Sequence, residues 1–162
     1  LFYMSGLRVS ELTNLTDSQI DLSREVLLIL GKRKKQRIIP LTNVLKLSLN
    51  SYLHRRNLEF GDSVRGGRVF LTKNGDDVYT KLIYRIVRKH IEMVSTVSKK
   101  SPHVLRHTFA TVLLNNGADL MSIKELLGHS SLAATQIYAH TEFEQLNKVY
   151  KQAHPRAENK ED

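Results

Sequence analysis

The sequence predicts a mainly α-helical domain carrying a small antiparallel β-sheet. Three observations lead there. Beyond residue 42, apolar residues recur largely at the three- and four-residue spacing of helix faces. Earlier, two short β-prone runs, Val26–Leu30 and residues 37–41, flank a charged turn that opens with Gly31, the pattern of a β-hairpin. The chain has 162 residues, 41% hydrophobic and 25% charged, enough to bury a core as one globular domain without disulfide staples.

Residues 1–15 read as a single helix. The chain starts inside that pattern at Leu1, with neither an initiator Met nor a cap, so a larger parent with upstream domains is expected. The hairpin turn is Gly31-Lys32-Arg33-Lys34-Lys35-Gln36. Thr42 or Asn43 can cap a helix through Leu58, with apolar residues at Val44, Leu45, Leu47 and Leu49. Residues 69–72 are expected to add a third strand after the loop Arg65-Gly66-Gly67, and residues 73–77 form the next turn. Thr80 is expected to cap a helix over 81–94, with Ile83, Ile86, Val87 and Ile91 as its stripe. Another helix runs from about His103 to a stop at Asn116-Gly117. Asp119 caps the next, which buries Ile123, Leu126 and Leu127 and closes at Gly128. Ser130 or Ser131 begins a helix bearing Tyr138, and residues 142–152 form the last, with Phe143, Leu146, Val149 and Tyr150 on one face. Residues 153–162 are polar and are expected to be a disordered tail, which leaves 1–152 as the domain.

The formal charge is +9, and residues 140–162 are nearly balanced, so the folded body carries the excess. A cationic body favours a polyanionic partner, nucleic acid first. The absence of cysteine excludes disulfides, thiolate metal sites and a cysteine nucleophile. No apolar run approaches the ~18–20 residues that cross a bilayer, and no signal peptide is visible. A cytoplasmic protein without a membrane partner is expected. No dense Asp/Glu cluster suggests a magnesium site, Asp76-Asp77 being a turn, so neither metal nor cofactor is expected.

Four polar motifs remain. In Gly6-Leu7-Arg8-Val9-Ser10-Glu11-Leu12, Arg8 and Glu11 stand at i and i+3, which by itself reads as a modest helix ion pair. The basic hairpin turn reads alone as a solvated loop. In Ser101-Pro102-His103-Val104-Leu105-Arg106, His103 and Arg106 share a face near a helix N-terminus, a place suited to anions. His107 beside them reads as a packing or capping residue. Leu126-Leu127-Gly128-His129-Ser130 is followed, nine positions after its His, by Tyr138.

Taken in order, these motifs resemble the tyrosine recombinases, also called phage integrases, and within them the Xer branch. That branch shares Ser-Pro-His103-Val-Leu-Arg106-His, Leu-Leu-Gly-His129-Ser, Thr135-Gln136-Ile137-Tyr138 and the ending His154-Pro155-Arg156-Ala157. The likeness spans essentially the whole chain and implies the fold of a tyrosine recombinase catalytic domain. The core-binding domain that such proteins carry on the N-terminal side is not contained in these residues. The resemblance implies a site-specific DNA recombinase, an Xer-like recombinase or mobile-element integrase, which cuts and rejoins strands through a 3′-phosphotyrosyl link without metal or ATP.

It also implies roles. Tyr138 matches the nucleophile, Arg8 and Arg106 the phosphate-clamping arginines, His103 and His129 the pocket histidines, and Lys32 the hairpin lysine. Arg33 replaces a glycine common in the family's turn, so Lys34 and Lys35 compete with Lys32 for that role. Arg33, Lys34, Lys35 and Arg37 are expected to contact DNA and to depress the Lys32 ammonium by like charge. The chemistry agrees: the planar arginine fork suits charge growing on phosphate oxygens, and a tyrosine of pKa ~10 needs a base. His103 is favoured as that base, with the division between His103 and His129 left open. The expected partner is double-stranded DNA, bound by a homo- or heterotetramer that exchanges the C-terminal helix. Packing of that helix on its own domain is the simpler alternative. Two other functions stay open, a type IB topoisomerase-like relaxing enzyme and a catalytically silent DNA-binding module.

Overall fold

In a computed structural model, which describes residues 1–31, 36–61, 67–96, 98–128 and 140–154 (side chains excepted over 140–146), the N-terminal segment is two helices, not one. Helix α1 (Phe2–Ser5) and helix α2 (Val9–Thr13) meet at a bend over Gly6-Leu7-Arg8. Gly6 takes the left-handed conformation, φ +59°, which residues with a Cβ rarely adopt. A Cβ there would lie 2.6 Å from the Phe109 ring. Apolar periodicity hides the break because both sides are inward: Phe2, Met4, Leu7, Val9, Leu12 and Leu15 are all buried.

Three strands follow, β1 (Ile20–Asp21), β2 (Val26–Leu30) and β3 (Gln36–Pro40), antiparallel in the order β1-β2-β3. The expected hairpin is present, in register from Val26 opposite Pro40 to Leu30 opposite Gln36. Its core face carries Leu27, Ile29 and Ile39, all buried. The third strand differs from expectation: Ile20–Asp21, not residues 69–72, pairs with β2. The 68–71 stretch makes only isolated bridges, Arg68 with Thr16 and Leu71 with Asp77. Buried Arg56 explains this, because its Nη1 donates to the carbonyls of Arg68 (3.2 Å) and Val69 (3.1 Å). The same guanidinium forks onto Asp17, both distances 2.7 Å, tying that stretch to a 3-10 turn rather than to the sheet edge.

Helix α3 (Asn43–Phe60) begins at Thr42, whose Oγ1 accepts from the Leu45 N–H at 3.2 Å. Leu45 and Leu49 are buried, but Val44 and Leu47 face solvent, since the inward stripe continues through Tyr52, Leu53 and Arg56. Helix α4 (Thr80–Val94) starts at the expected cap itself, so Thr80 is its first helical residue and Tyr79 holds the cap position. Ile83 and Ile91 are buried there, whereas Ile86 is exposed. Helix α5 (Pro102–Asn115) packs against α1 and α4 and against the two helices that follow it, α6 (Leu120–Leu127) and α7 (His140–Ala153). Asp119 caps α6 as expected, accepting from the Ser122 N–H at 2.9 Å, and Gly128 ends it in the left-handed conformation.

The core has two clusters. One joins α1, α2, the sheet, α3 and the start of α4; the other joins α5, α6 and the end of α7 around Phe109, Leu113 and Tyr150. Ala153 and His154, expected in the polar tail, are buried, with the His154 ring 5.4 Å from those of Tyr3 and Tyr150. Residues 155–162 and the helix expected to carry Tyr138 lie outside the described residues.

Gly6→Ala adds strain in φ to a clash with the Phe109 ring. Urea denaturation of this variant is expected to show a loss of at least about 2 kcal/mol, with the hairpin untouched.

Candidate active site

The site is built around one carboxylate. Arg8 occupies the N-cap of α2 in extended conformation, and Glu11 stands at the third helical position. Glu11 Oε2 accepts from the Arg8 N–H at 2.7 Å, and Oε1 accepts from Arg8 Nη1 at 2.9 Å. The pair therefore closes the start of the helix, where backbone N–H groups lack partners. From β3, Arg37 lays its fork on the same carboxylate, Nη1 and Nη2 donating to Oε1 at 2.7 Å and Oε2 at 2.8 Å. Arg106, from α5, brings Nη1 to 4.0 Å from Glu11 Oε2.

The C-terminal end of α6 is the second anchor. Its last carbonyls have no helical partner and carry partial negative charge. Three consecutive ones accept from three different arginines: Leu126 from Arg37 Nε at 2.8 Å, Leu127 from Arg106 Nη2 at 2.6 Å, and Gly128 from Arg8 Nη2 at 3.3 Å. Arg106 also donates from Nη1 to the carbonyl of Gly6, at the bend between α1 and α2.

Burial alone raises the Glu11 carboxyl, but the hydrogen bonds and charge of Arg37, joined by Arg8, outweigh it and hold the group at about 2. Burial and the neighbouring Arg8 charge lower the Arg106 guanidinium to about 10, against the opposing pull of Glu11. It is still a cation at neutral pH. Side-chain exposure separates the three arginines: Arg8 is 36% exposed, Arg106 11% and Arg37 5%. Arg8 and Arg106 thus form the outer layer of the cluster, two permanent cations suited to an oxyanion.

His103 stands in the first turn of α5, exposed, one turn before Arg106 and with its ring 6.2 Å from that of Tyr84. His107 is exposed as well, and its carbonyl accepts from Thr111 Oγ1 at 3.0 Å. Lys32, Arg33, Lys34, Lys35, His129 and Tyr138 lie outside the described residues. Arg37, expected to contact DNA from the turn, is a buried strand residue opposite Ile29, with hydrogen bonds to Glu11 and Leu126. Strand alternation could have shown this, because Arg37 shares its face with Ile39. Glu11 is the other residue whose importance the sequence understates. Among the described residues no group of three or more His, Cys, Asp or Glu is placed to hold a metal, and no helix is long and apolar enough to cross a membrane.

The depressed Glu11 carboxyl has a consequence for acid stability. Its contribution is complete above the ordinary value of 4.5 and disappears as pH falls through about 2. Glu11→Gln is therefore expected to be less stable than the parent by roughly 3 kcal/mol at pH 7. Urea titrations at a series of pH values should show that gap closing between about pH 4.5 and pH 2.

Comparison with known proteins bears on this arrangement. The tyrosine recombinase XerC of Chlorobaculum tepidum is 41% identical over 161 residues, an alignment covering 97% of this chain and 48% of that protein. The crystal structure of XerA recombinase matches with a TM-score of 0.72 at 35% identity, covering 96% of this chain and 56% of that one. The XerH site-specific recombinase bound to difH substrate, in a pre-cleavage complex, matches with a TM-score of 0.71 at 27% identity, covering 89% of this chain and 43% of that one. The chain spans about half the length of the curated relatives it matches. The pattern of the phage integrase family runs over residues 1–145. With a family match across most of its length, and with a mainly helical fold that matches the XerA recombinase crystal structure, the chain belongs to the phage integrase family, the tyrosine recombinases.

Proposed function

We propose that this chain is the catalytic part of a site-specific DNA recombinase of the Xer type, acting on double-stranded DNA in the cytoplasm. The observation that carries the reading is the meeting of Arg8 and Arg106, from the start of α2 and from α5, on the Glu11 carboxylate and the α6 C-terminus. Two cations held from opposite sides can grip one phosphodiester and meet the charge that builds on its oxygens during attack. His103, exposed one turn from Arg106, is available to a substrate at the same place.

In the proposed reaction the Tyr138 hydroxyl attacks phosphorus and gives its proton to His103 or His129, directly or through water. The bond from phosphorus to the 5′ oxygen breaks, and that oxygen takes a proton from Lys32. The products are a 3′-phosphotyrosyl link and a free 5′ hydroxyl. The ester conserves the bond energy, so a 5′ hydroxyl from a partner duplex can reverse the step and exchange strands without ATP. Assembly as a homo- or heterotetramer on DNA, with the C-terminal helix passed to a neighbour, belongs to the same proposal. Within the single chain the end of α7 packs in cis through Tyr150 and Ala153.

A nicked suicide substrate, which traps the covalent adduct, tests the reading directly. The parent chain should form adduct and Tyr138→Phe none, with DNA affinity nearly unchanged. Arg8→Ala and Arg106→Ala should each slow adduct formation by about 100-fold or more while weakening DNA binding only a few-fold. Equal losses in rate and affinity would mark these arginines as DNA grips only. Relaxation of supercoils without exchange between two sites would point to a topoisomerase instead.

A DNA substrate with sulfur in place of the bridging 5′ oxygen tests Lys32, since a thiolate departs without a proton. Lys32→Ala should be slow on ordinary DNA and nearly restored on the sulfur substrate. The same defect on both would move the role to Lys34, Lys35 or another group.

A further inference from the structure

Arg37 is the buried charge that the proposed reaction leaves unexplained. An apolar side chain at this inward strand position would serve the core at least as well, because a buried ion pair contributes little net stability against a well-packed hydrophobic replacement. Both targets of its guanidinium also hold the arginines of the phosphate clamp. Nη1 and Nη2 cover the two oxygens of Glu11, the carboxylate that Arg8 also contacts. Nε takes the Leu126 carbonyl, beside the carbonyls that bind Arg106 and Arg8. A Cβ on Gly128 would approach Arg37 Nη1 to 3.0 Å, so the end of α6 closes tightly over the guanidinium.

The charge arithmetic assigns Arg37 a task. One carboxylate faces three guanidiniums. Arg37 forks both Glu11 oxygens, and Arg106 Nη1 stands 4.0 Å from Oε2, beyond hydrogen-bonding distance. Without that fork, Glu11 Oε2 is free to take a hydrogen bond from Arg106 and draw that charge away from a phosphate.

We propose that Arg37 is a positioning residue for DNA cleavage: it engages Glu11 and the α6 C-terminus so that Arg8 and Arg106 stay directed at the scissile phosphate. The proposal rests on the clamp reading of those two arginines. Lysine retains the charge but lacks the fork, so it cannot hold both oxygens and the carbonyl together.

The test is single-turnover adduct formation on the nicked substrate at saturating DNA, well below the melting temperature of each protein. Arg37→Lys is expected to be about 100-fold slower than the parent, the scale of a small displacement of catalytic groups, with DNA affinity within about threefold. A methylphosphonate at the scissile position removes one phosphate charge, and with it much of the need for a charged clamp. On it the deficit should shrink to within about tenfold. Arg56→Lys breaks a comparable buried fork, that with Asp17, away from the site. It should lower the melting temperature and leave the rate unchanged. A parental rate for Arg37→Lys, an equal deficit on both substrates, or an equal slowing by Arg56→Lys would overturn the role. Arg37→Gln, which keeps a donor for the Leu126 carbonyl, gives a second route; failure of both variants to fold would make Arg37 a fold-holding residue only and also overturn it. No adduct from the parent chain would instead overturn the proposed reaction, and this role with it.

Discussion

The structure depends on a buried carboxylate that must be satisfied. A lone charge removed from water is prohibitively costly, so Glu11 can stay buried only with cations at hydrogen-bonding distance. Those cations cannot come from α2 alone. Arg37 is delivered by the sheet, while Arg106 approaches from α5, and each then continues to the end of α6. One charge thereby links four elements and bridges the two hydrophobic clusters.

The same arrangement bears on the proposed chemistry. Burial first, and then the repelling charges of Arg8 and Arg37, lower the Arg106 guanidinium. Glu11 and the carbonyl end of α6 offset part of that repulsion without quenching it. In the proposed reaction a phosphate would meet Arg8 and Arg106 already held by these partners, the condition under which electrostatic stabilisation of a transition state needs least reorganisation. The bend at Gly6 contributes as well, since its carbonyl is one of the two that hold Arg106.

The end of α7 meets the same bend from behind. Tyr150 donates to the Met4 carbonyl, and a ring nitrogen of His154 lies 3.3 Å from the Tyr3 carbonyl. Burial raises the Tyr150 hydroxyl, so it is a neutral donor at any physiological pH. Phe109, whose ring lies against Gly6, also lies 6.1 Å from the Tyr150 ring and 6.0 Å from that of His154. The end of the C-terminal helix and the Gly6 carbonyl that holds Arg106 thus share one packed region around Phe109.

Features set by a few neighbouring residues were legible in the sequence: the β2–β3 hairpin, the Thr42 and Asp119 caps, the Gly128 stop, and the pairing of His103 with Arg106 at the start of α5. Each is decided within about one turn or one hairpin, where local backbone chemistry dominates. The ordered motifs also carried the family resemblance, because they stand in the linear chain. Only the tertiary structure decided the break at Gly6, the third strand and the burial of Arg37, since the partners that decide them (Phe109, Arg56 and Leu126) lie far away in sequence. Arg37 shows the reason most plainly. A basic residue beside a basic turn belongs in solvent by composition, yet the pleat turns it inward with Ile39, and only a distant carboxylate and a distant helix end make that position affordable for a charge.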